Sequence, residues 1–324
     1  MKFINKIAAL LLTLALTLTA PAALAEEAPL RVVTTIFPIY DWVREILGDA
    51  DGVELTLLLD SGVDLHSYQP TAADIVKVAA CDVFIYVGGE SDEWVEDALK
   101  EAVNPDMRVV DLLDALGDAA KEEETVEGME AEEEEGEEGE EGEEVEYDEH
   151  VWLSLRNAQA LTGVIADALA ESDGENADLY RANAEAYAGR LGELDGRYAD
   201  AVASAELDTM LFGDRFPFRY LADDYGLTYY AAFSGCSAES EATFETIAFL
   251  AGKVDALELP AVLTIEGANH RVAETVVANT AAKDAAILVM DSMQGTTAAD
   301  VAAGATYLGV MEGNLAALNQ ALNR

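Results

Sequence analysis

The chain has 324 residues, with 64 Asp and Glu against only 18 Lys and Arg, which gives a formal net charge of -46 at pH 7. Because nucleic-acid binding depends on Lys and Arg that neutralise phosphates, this balance excludes nucleic acid as a partner and argues against docking on anionic lipid. Cations are the natural counterpart of such a chain, although acidity alone identifies no ligand.

The first 25 residues are typical of a cleaved export signal. Lys2 and Lys6 precede an apolar stretch from Ile7 to about Leu18, and Ala23-Leu24-Ala25 provides a small-x-small cleavage site. The apolar stretch is too short to span a bilayer comfortably, which disfavours the alternative of an uncleaved anchor. We therefore expect a mature chain that begins at Glu26, is exported to the periplasm or the cell exterior, and is soluble there. The cysteine needed for lipid attachment is absent from the cleavage site.

Segments typical of buried strands alternate with segments typical of helices through the rest of the chain. In the first half, strands are predicted at Arg31 to Phe37, Val53 to Leu59, Asp82 to Gly89 and Arg108 to Asp111. Helices are predicted at Pro38 to Leu47, at Thr71 to Ala80 and after Ser91, a favourable N-cap residue. In the second half, strands are predicted at Thr209 to Gly213, Thr228 to Phe233, Val262 to Glu266 and Ala286 to Asp291. Repeated βα units predict parallel sheets covered by helices on both faces.

A stretch at 176–205, rich in Ala, Glu, Leu, Arg and Tyr, predicts one long helix between the two halves. Without the signal, about 300 residues remain, which is more than one ordinary core organises. We therefore predict an α/β fold of two three-layer lobes with parallel sheets, at 26–175 and 206–324, joined by this long rigid helix. A stiff connector restricts the lobe movement that flexible hinge strands permit.

The segment at 122–149 is mostly Glu with interspersed Gly and has almost nothing to bury. Such a segment repels itself and cannot form a core, so we predict a disordered loop within the first lobe. Weak accumulation of cations by the carboxylates and a simple solvated spacer both explain its composition.

The two cysteines, Cys81 and Cys236, lie far apart among small or apolar residues, and the predicted division places them in different lobes. A disulfide is permitted in an oxidising compartment, but one pair cannot be the main scaffold of this chain. We expect two unpaired thiols.

Two of the three histidines lie at predicted strand-to-helix turns of the first lobe, where open α/β sheets bind ligands. His66 stands in Asp64-Leu-His66-Ser-Tyr-Gln-Pro70, and His150 in Asp148-Glu-His150-Val-Trp152. Imidazole nitrogen suits zinc and related metals, and Asp64 and Asp148 are candidates for the acceptor that orients each ring. Asp291 ends the last predicted strand, where its carboxylate can point into a cleft mouth or cap the next segment. A polar surface role is the alternative for each histidine, but together these residues predict a metal site.

Several ordered features resemble the solute-binding proteins of zinc and manganese ABC importers, of the group whose lobes are joined by one long helix. They cover essentially the whole mature chain and comprise Thr34-Thr-Ile-Phe-Pro38, the two histidine motifs, Tyr86-Val-Gly-Gly-Glu90, the acidic segment, the long helix and the strand that ends at Asp291. In that family the metal is held by a His in each of the first two motifs, by a third His or a Glu at the start of the second lobe, and by a final Asp or Glu. The resemblance implies that His66, His150 and Asp291 are metal ligands.

The third ligand of the family pattern falls on Arg215, counting back from Tyr225-Gly-Leu227. A guanidinium has no lone pair to donate, so another group must replace it or the site has three protein ligands and water. The candidates for an additional or supporting residue are Asp214, Arg215 itself as a partner of a carboxylate, Cys236, Glu241 and His270. Thiolate binds zinc well, although burial as an inert thiol is the alternative for Cys236.

The resemblance implies capture of a divalent transition metal outside the cytoplasm, Zn²⁺ or alternatively Mn²⁺, and its delivery to the membrane permease of an ABC importer. Because both imidazoles must be neutral to bind, we expect affinity to weaken below about pH 6.5. The protein is not expected to be an enzyme. A zinc hydrolase is the alternative from another class, although the sequence has no His-Glu-x-x-His motif. A binder of an organic solute or a host surface is a third alternative, which Arg215, Phe216 and Phe218 keep open.

Overall fold

Two four-stranded parallel sheets form the centres of two lobes in the computed structural model, which describes residues 28–130, 146–237, 241–267 and 269–324. The first sheet contains β1 (Leu30–Thr34), β2 (Val53–Leu57), β3 (Val83–Tyr86) and β4 (Arg108–Asp111). The second contains β5 (Thr209–Arg215), β6 (Thr228–Phe233), β7 (Ala261–Thr264) and β8 (Ala286–Val289). Their orders are β2-β1-β3-β4 and β6-β5-β7-β8, and all neighbouring strands are parallel. The two sheets thus repeat one topology, which confirms the predicted fold class.

Helices flank both sheets and connect their strands. Those of the first lobe are α1 (Phe37–Leu47), α2 (Ala72–Ala80), α3 (Trp94–Lys100), α4 (Leu112–Leu116) and α5 (Leu155–Ser172). The linking helix is α6 (Ala177–Ser204), and the second lobe contains α7 (Arg219–Tyr225), α8 (Phe244–Leu257), α9 (Arg271–Asn279), α10 (Ala298–Ala302) and α11 (Tyr307–Ala321). Short 3-10 turns lie at Leu65–Ser67, Glu90–Asp92, Gly117–Ala119 and Val151–Leu153. None of the helices in the described ranges has the length and apolar character needed to cross a bilayer.

Local sequence explains most helix starts, with one correction. Pro38 lies in the first turn of α1, where its missing N–H costs nothing, and Thr71 and Asp74 form a reciprocal capping box at α2. The prediction that Ser91 caps α3 is wrong, because Ser91 lies inside the turn Glu90–Asp92. Its N–H donates instead to Glu149 Oε1 at 2.8 Å, so Ser91 supports the segment that precedes His150.

The linking helix packs against α1 and α5 of the first lobe and against α11 of the second. Its buried side chains include Tyr180, Tyr187, Leu191, Leu194 and Tyr198. The Tyr198 hydroxyl donates to the Met311 carbonyl of α11 at 2.7 Å. One apolar cluster therefore runs from the first sheet through α6 into the second lobe, while a smaller cluster fills the space between β5, β6 and β7 and the helices α8 and α9.

The acidic segment is ordered at both of its ends, which corrects the predicted limits of the disordered loop. Glu122 pairs with Tyr147 and Glu130 pairs with Phe233 in isolated β-bridges, and Val126 and Met129 pack against the main apolar cluster. The burial of these apolar side chains was not predicted, because Glu dominates the composition of 122–149. Its middle, 131–145, and the predicted export signal, 1–25, lie outside the described residues.

Both cysteines are free thiols, as expected from their positions in different lobes. Cys81 is fully buried after α2, and its Sγ–H donates to the Val78 carbonyl at 3.1 Å. Burial raises the pKa of the Cys81 thiol to about 12, so it is an inert core residue. Cys236 instead lies in the loop after β6, beside the cleft between the lobes.

Candidate metal centre

His66 lies in a 3-10 turn beyond the carboxyl end of β2, and Asp64 shapes that turn. The Asp64 Oδ1 accepts the His66 N–H at 3.1 Å, so the carboxylate caps the turn two residues before the imidazole. On the ring, Nδ1 lies 2.8 Å from Ser91 Oγ and 3.4 Å from Glu149 Oε2. A carboxylate beside Nδ1 favours the tautomer with the proton there, which leaves the Nε2 lone pair available.

His150 repeats this arrangement at the start of the turn Val151–Leu153, and it is fully buried. Asp148 Oδ1 accepts the His150 backbone N–H at 2.8 Å and also accepts from the ring Nδ1 at 3.0 Å. Because an ionised carboxylate only accepts, Nδ1 carries the proton and Nε2 carries the lone pair. The two Asp-x-His motifs therefore build the same Asx turn, and both prepare Nε2 for coordination.

The two prepared nitrogens face each other across 3.2 Å. Two lone pairs at this distance repel unless a proton or a cation lies between them. Nitrogen ligands at about 2.05 Å from a tetrahedral zinc lie about 3.3 Å apart, which the pair already matches closely. The arrangement suits a metal that bridges the two rings.

Cys236 is the third member of this cluster. Its Sγ and one ring nitrogen from each of His66 and His150 all lie within 4.8 Å of one another. The preceding Gly235 allows this approach, because a Cβ there would lie 2.9 Å from the Phe216 carbonyl oxygen and 3.0 Å from His150 Cε1. Cys236 is the one predicted additional candidate that the structure brings together with both histidines within the described parts of the chain.

Asp291 lines the cleft but does not join this cluster in the described residues. Its Oδ1 accepts the Met293 N–H at 2.7 Å, and its backbone is held by Asn314 of α11. Burial raises the pKa of Asp291 to about 6, and the nearby Glu266 carboxylate acts in the same direction. Its assignment as a ligand stays a prediction.

The other candidates are engaged elsewhere. Asp214 Oδ2 accepts the Thr264 hydroxyl at 2.5 Å, and His270 Nδ1 lies 3.1 Å from the same hydroxyl oxygen. Glu241 is exposed just before α8. Arg215 forms an ion pair with Asp64, so it joins the second lobe to the turn that carries His66.

Three residues near the cluster were not predicted from the sequence. Gln294 Nε2 lies 3.3 Å from His150 Nε2, and Glu266 accepts the Gln294 N–H at 3.0 Å together with the Ser292 N–H at 2.7 Å. Glu266 follows β7 closely, just as Asp291 follows β8. A carboxylate at the end of a strand was the reason for predicting Asp291, and it applies equally to Glu266. Glu149 is buried, with its Oε2 beside the His66 ring. Its role was not predicted because it lies at the end of a Glu-rich segment.

Burial sets the protonation of His66 and Cys236. It lowers the pKa of His66 to about 3, and the neighbouring His150 ring acts in the same direction. Burial also raises the pKa of the Cys236 thiol above its usual range, with the carboxylates of Glu123, Asp148 and Glu149 adding to the effect. Because the His66 ring is desolvated, it is neutral at physiological pH.

A cavity of about 380 Å³ opens beside the cluster and reaches both His66 and Cys236. The carboxylates that line it are those of Glu90, Glu93, Glu123, Glu146 and Glu149. This negative lining favours the approach of a cation to the ring nitrogens and the thiol.

Comparisons with known proteins agree with the fold. Residues 32–321 match the family described as "ZnuA: Zinc-uptake complex component A periplasmic". The chain is 31% identical over 296 residues to the zinc-binding lipoprotein AdcA of Streptococcus pneumoniae (strain ATCC BAA-255 / R6), a match that covers 91% of this chain and 56% of AdcA. It is 30% identical over 293 residues to the high-affinity zinc uptake system protein ZnuA of Bacillus subtilis (strain 168), covering 90% of this chain and 88% of that protein.

The crystal structure of the Zn(II)-bound ZnuA-like domain of S. pneumoniae AdcA is similar, with a TM-score of 0.70 and 26% identity, over 92% of this chain and all of that domain. The chain spans little more than half the length of the AdcA proteins that it matches, at 56% to 58%.

Proposed function

The chain belongs to the ZnuA family of periplasmic zinc-uptake components, and from this premise we propose that it captures Zn²⁺ between its lobes and delivers it to the membrane permease of an ABC importer. The zinc ion is the cargo. Export by cleavage of a signal at 1–25, as a soluble protein of the periplasm or cell exterior, is part of the same proposal.

The observation that carries the proposal is the facing pair of imidazoles. His66 Nε2 and His150 Nε2 lie 3.2 Å apart, and the other nitrogen of each ring is next to a carboxylate. This is the support that zinc-binding histidines use to fix their tautomer and raise their basicity. An isolated surface histidine needs no such support, so the pair is best explained as a metal site.

Relatives support zinc as the cargo. The S. pneumoniae and B. subtilis proteins are named for zinc binding and zinc uptake, and the similar S. pneumoniae domain was crystallised with Zn(II). Two imidazoles with a carboxylate such as Asp291 are also compatible with Mn²⁺, so the alternative of a manganese binder is decided by measurement.

Calorimetric titration of the full chain, stripped with a chelator, tests the proposal. The unmodified protein should bind Zn²⁺ tightly with one ion per chain, and His66→Ala should weaken binding by about 100-fold or more because a ligand is lost. His270→Ala is the matched control, since His270 lies outside the cluster and should retain affinity within a few-fold.

Absence of zinc binding by the unmodified protein, or equal affinity of the His66 and His270 variants, would overturn the proposal. Transport is tested separately by asking whether zinc-dependent growth of a strain that lacks its own zinc-binding component is restored. A zinc hydrolase would instead turn over ester or peptide substrates once loaded with metal.

A further inference from the structure

The cluster at the cleft contains a thiol that the family pattern does not require. His66 and His150 belong to the first lobe, whereas Cys236 follows β6 of the second lobe. All three donor atoms lie within 4.8 Å of one another. The cluster therefore includes two donors from the first lobe and one from the second, although Arg215 occupies the position where the family pattern placed the ligand of the second lobe.

We propose that Cys236 supplies a thiolate as the ligand from the second lobe, which makes a His66–His150–Cys236 site that selects zinc against manganese. The inference rests on the proposed function and specifies the chemistry of its site. On binding, the Cys236 S–H bond breaks, a sulfur–metal bond forms from the sulfur lone pair, and the proton passes to water.

Geometry favours coordination over an inert thiol. Nitrogen and sulfur ligands of a tetrahedral zinc lie about 3.6 Å apart, so a cluster within 4.8 Å needs only small side-chain adjustments. Gly235 packs against His150 with no room for a Cβ, which brings the next residue close to the ring. Cys236 also lines the acidic cavity that reaches His66, so a cation that enters this cavity meets the sulfur.

A structural role in a disulfide does not explain Cys236. The other cysteine, Cys81, is fully buried behind α2 in the first lobe, and both thiols are free. The packing role of an ordinary buried cysteine is also a poor match, because the Cys236 backbone N–H lies 3.4 Å from Glu123 Oε1 in a polar, carboxylate-lined pocket.

Selectivity follows from the softness of sulfur. Zinc accepts thiolate and imidazole ligands readily, whereas manganese prefers carboxylate and other oxygen ligands. One thiolate with two neutral imidazoles should therefore hold zinc much more tightly than manganese. A site that used Asp291 in place of Cys236 would discriminate less, because carboxylate serves both metals.

Cobalt substitution provides the test, because Co²⁺ bound to thiolate gives a near-ultraviolet charge-transfer band that nitrogen and oxygen ligands lack. The Co²⁺-loaded protein and the control Cys81→Ser should both show the band. Cys236→Ser should lack it, and should lose about 10-fold to 100-fold of zinc affinity with a much smaller change for manganese. Cys236→Ala provides a second variant, and circular dichroism checks that each variant is folded.

Each remaining outcome overturns the inference. If the unmodified protein binds Co²⁺ and Zn²⁺ without the band, or if the band persists in Cys236→Ser, the thiol is not a ligand and the proposed capture function stands. If neither the unmodified protein nor the cysteine variants bind these metals, the proposed function fails together with the inference.

Discussion

Arg215 of the second lobe forms an ion pair with Asp64, the residue whose carboxylate caps the turn that carries His66 in the first lobe. Both side chains are largely buried, at 18% and 21% exposure. The guanidinium also donates to the Ser237 carbonyl at 3.5 Å, one residue after Cys236. Arg215 therefore connects the turn that carries His66 with the segment that carries Cys236. It holds the capping carboxylate of Asp64 instead of binding metal.

We expect Arg215→Ala to weaken zinc binding by about 3-fold to 10-fold, because the His66 turn loses the partner that fixes its capping carboxylate. Calorimetry with Zn²⁺ measures the change. Arg271→Ala is the matched control, since Arg271 lines the same part of the cleft but is exposed at the start of α9. Equal affinities of the two variants would show that the ion pair does not support the site.

Gly235→Ala should disrupt the site through steric contact alone. The new Cβ would lie 2.9 Å from the Phe216 carbonyl oxygen and 3.0 Å from the His150 ring, so the loop or the imidazole must shift. We expect zinc affinity to fall about 10-fold or more, with a loss of about 1 to 3 kcal/mol in the free energy of unfolding. Both are measured on purified protein by calorimetry and by urea denaturation.

The control for this change is Gly252→Ala in α8, where an added Cβ meets no described atom within 4 Å. It should leave zinc affinity unchanged and raise the free energy of unfolding by about 1 kcal/mol, because alanine favours the helix. A Gly235 variant with normal affinity would show that the contact with His150 is not required.

The pH dependence of zinc affinity should follow the thiol and not the His66 imidazole. Burial lowers the pKa of His66 to about 3, so this ring stays neutral and offers no proton competition across pH 5 to 8. Because the pKa of Cys236 is raised, its thiol is protonated in that range and must release a proton to bind as thiolate. Affinity should therefore fall about 10-fold for each unit by which pH decreases.

Titrations in buffers from pH 5.5 to 8 measure this slope, and Cys236→Ser provides the comparison. The variant should bind zinc more weakly but with a shallower dependence on pH. Parallel slopes in the two proteins would contradict the assignment of the released proton to the thiol.

Asp92 should make folding less favourable as the pH rises. It is 3% exposed, its Oδ2 accepts the Val87 and Gly88 N–H groups, and its Oδ1 has no hydrogen-bond partner in the described ranges. Burial raises its pKa to about 7, whereas an unfolded Asp has a pKa of about 3.9. The folded state therefore holds a proton that the unfolded state releases, so stability present at low pH is lost as pH rises towards 7.

Urea denaturation of the unmodified protein and of Asp92→Asn at pH 5 and pH 8 measures this effect. The asparagine has no carboxyl proton to lose, so the unmodified protein should lose a few kcal/mol relative to the variant between these pH values. A difference between the two proteins that does not change with pH would show that Asp92 titrates normally.

The fold could be predicted from the sequence because its strands are short apolar runs separated by clear helical segments. Thr228 to Phe233 was predicted at the bounds that β6 has in the structure, and the linking helix at 176–205 differs from α6 by one residue at each end. Strand ends were predicted less accurately, since β2 and β8 stop two residues before the predicted ends, Leu59 and Asp291. Leu58, Leu59 and Met290, which lie just beyond these strand ends, are still buried, so an apolar run does not mark where a strand ends.

The site was only partly predictable. The two Asp-x-His motifs identified His66 and His150, and Asp148 is the predicted acceptor of the His150 ring. Asp64 does not have this role at His66, because it accepts the backbone N–H while Ser91 and Glu149 lie beside the ring nitrogen. The position of Cys236 depends on where β6 ends and how Gly235 packs, which spacing in sequence does not determine. Glu149 and Gln294 were missed for a related reason, since their roles arise from contacts between segments that are distant along the chain.

The linking helix has a further consequence for how the protein unfolds. Its buried tyrosines and leucines belong to an apolar cluster that also includes Phe84 of the first sheet and Phe212 of the second. Neither lobe can lose this helix without exposing part of the other lobe's interior to water. Although the protein is built as two lobes, it should therefore melt in one cooperative transition, and bound metal should shift the midpoint of that transition without dividing it.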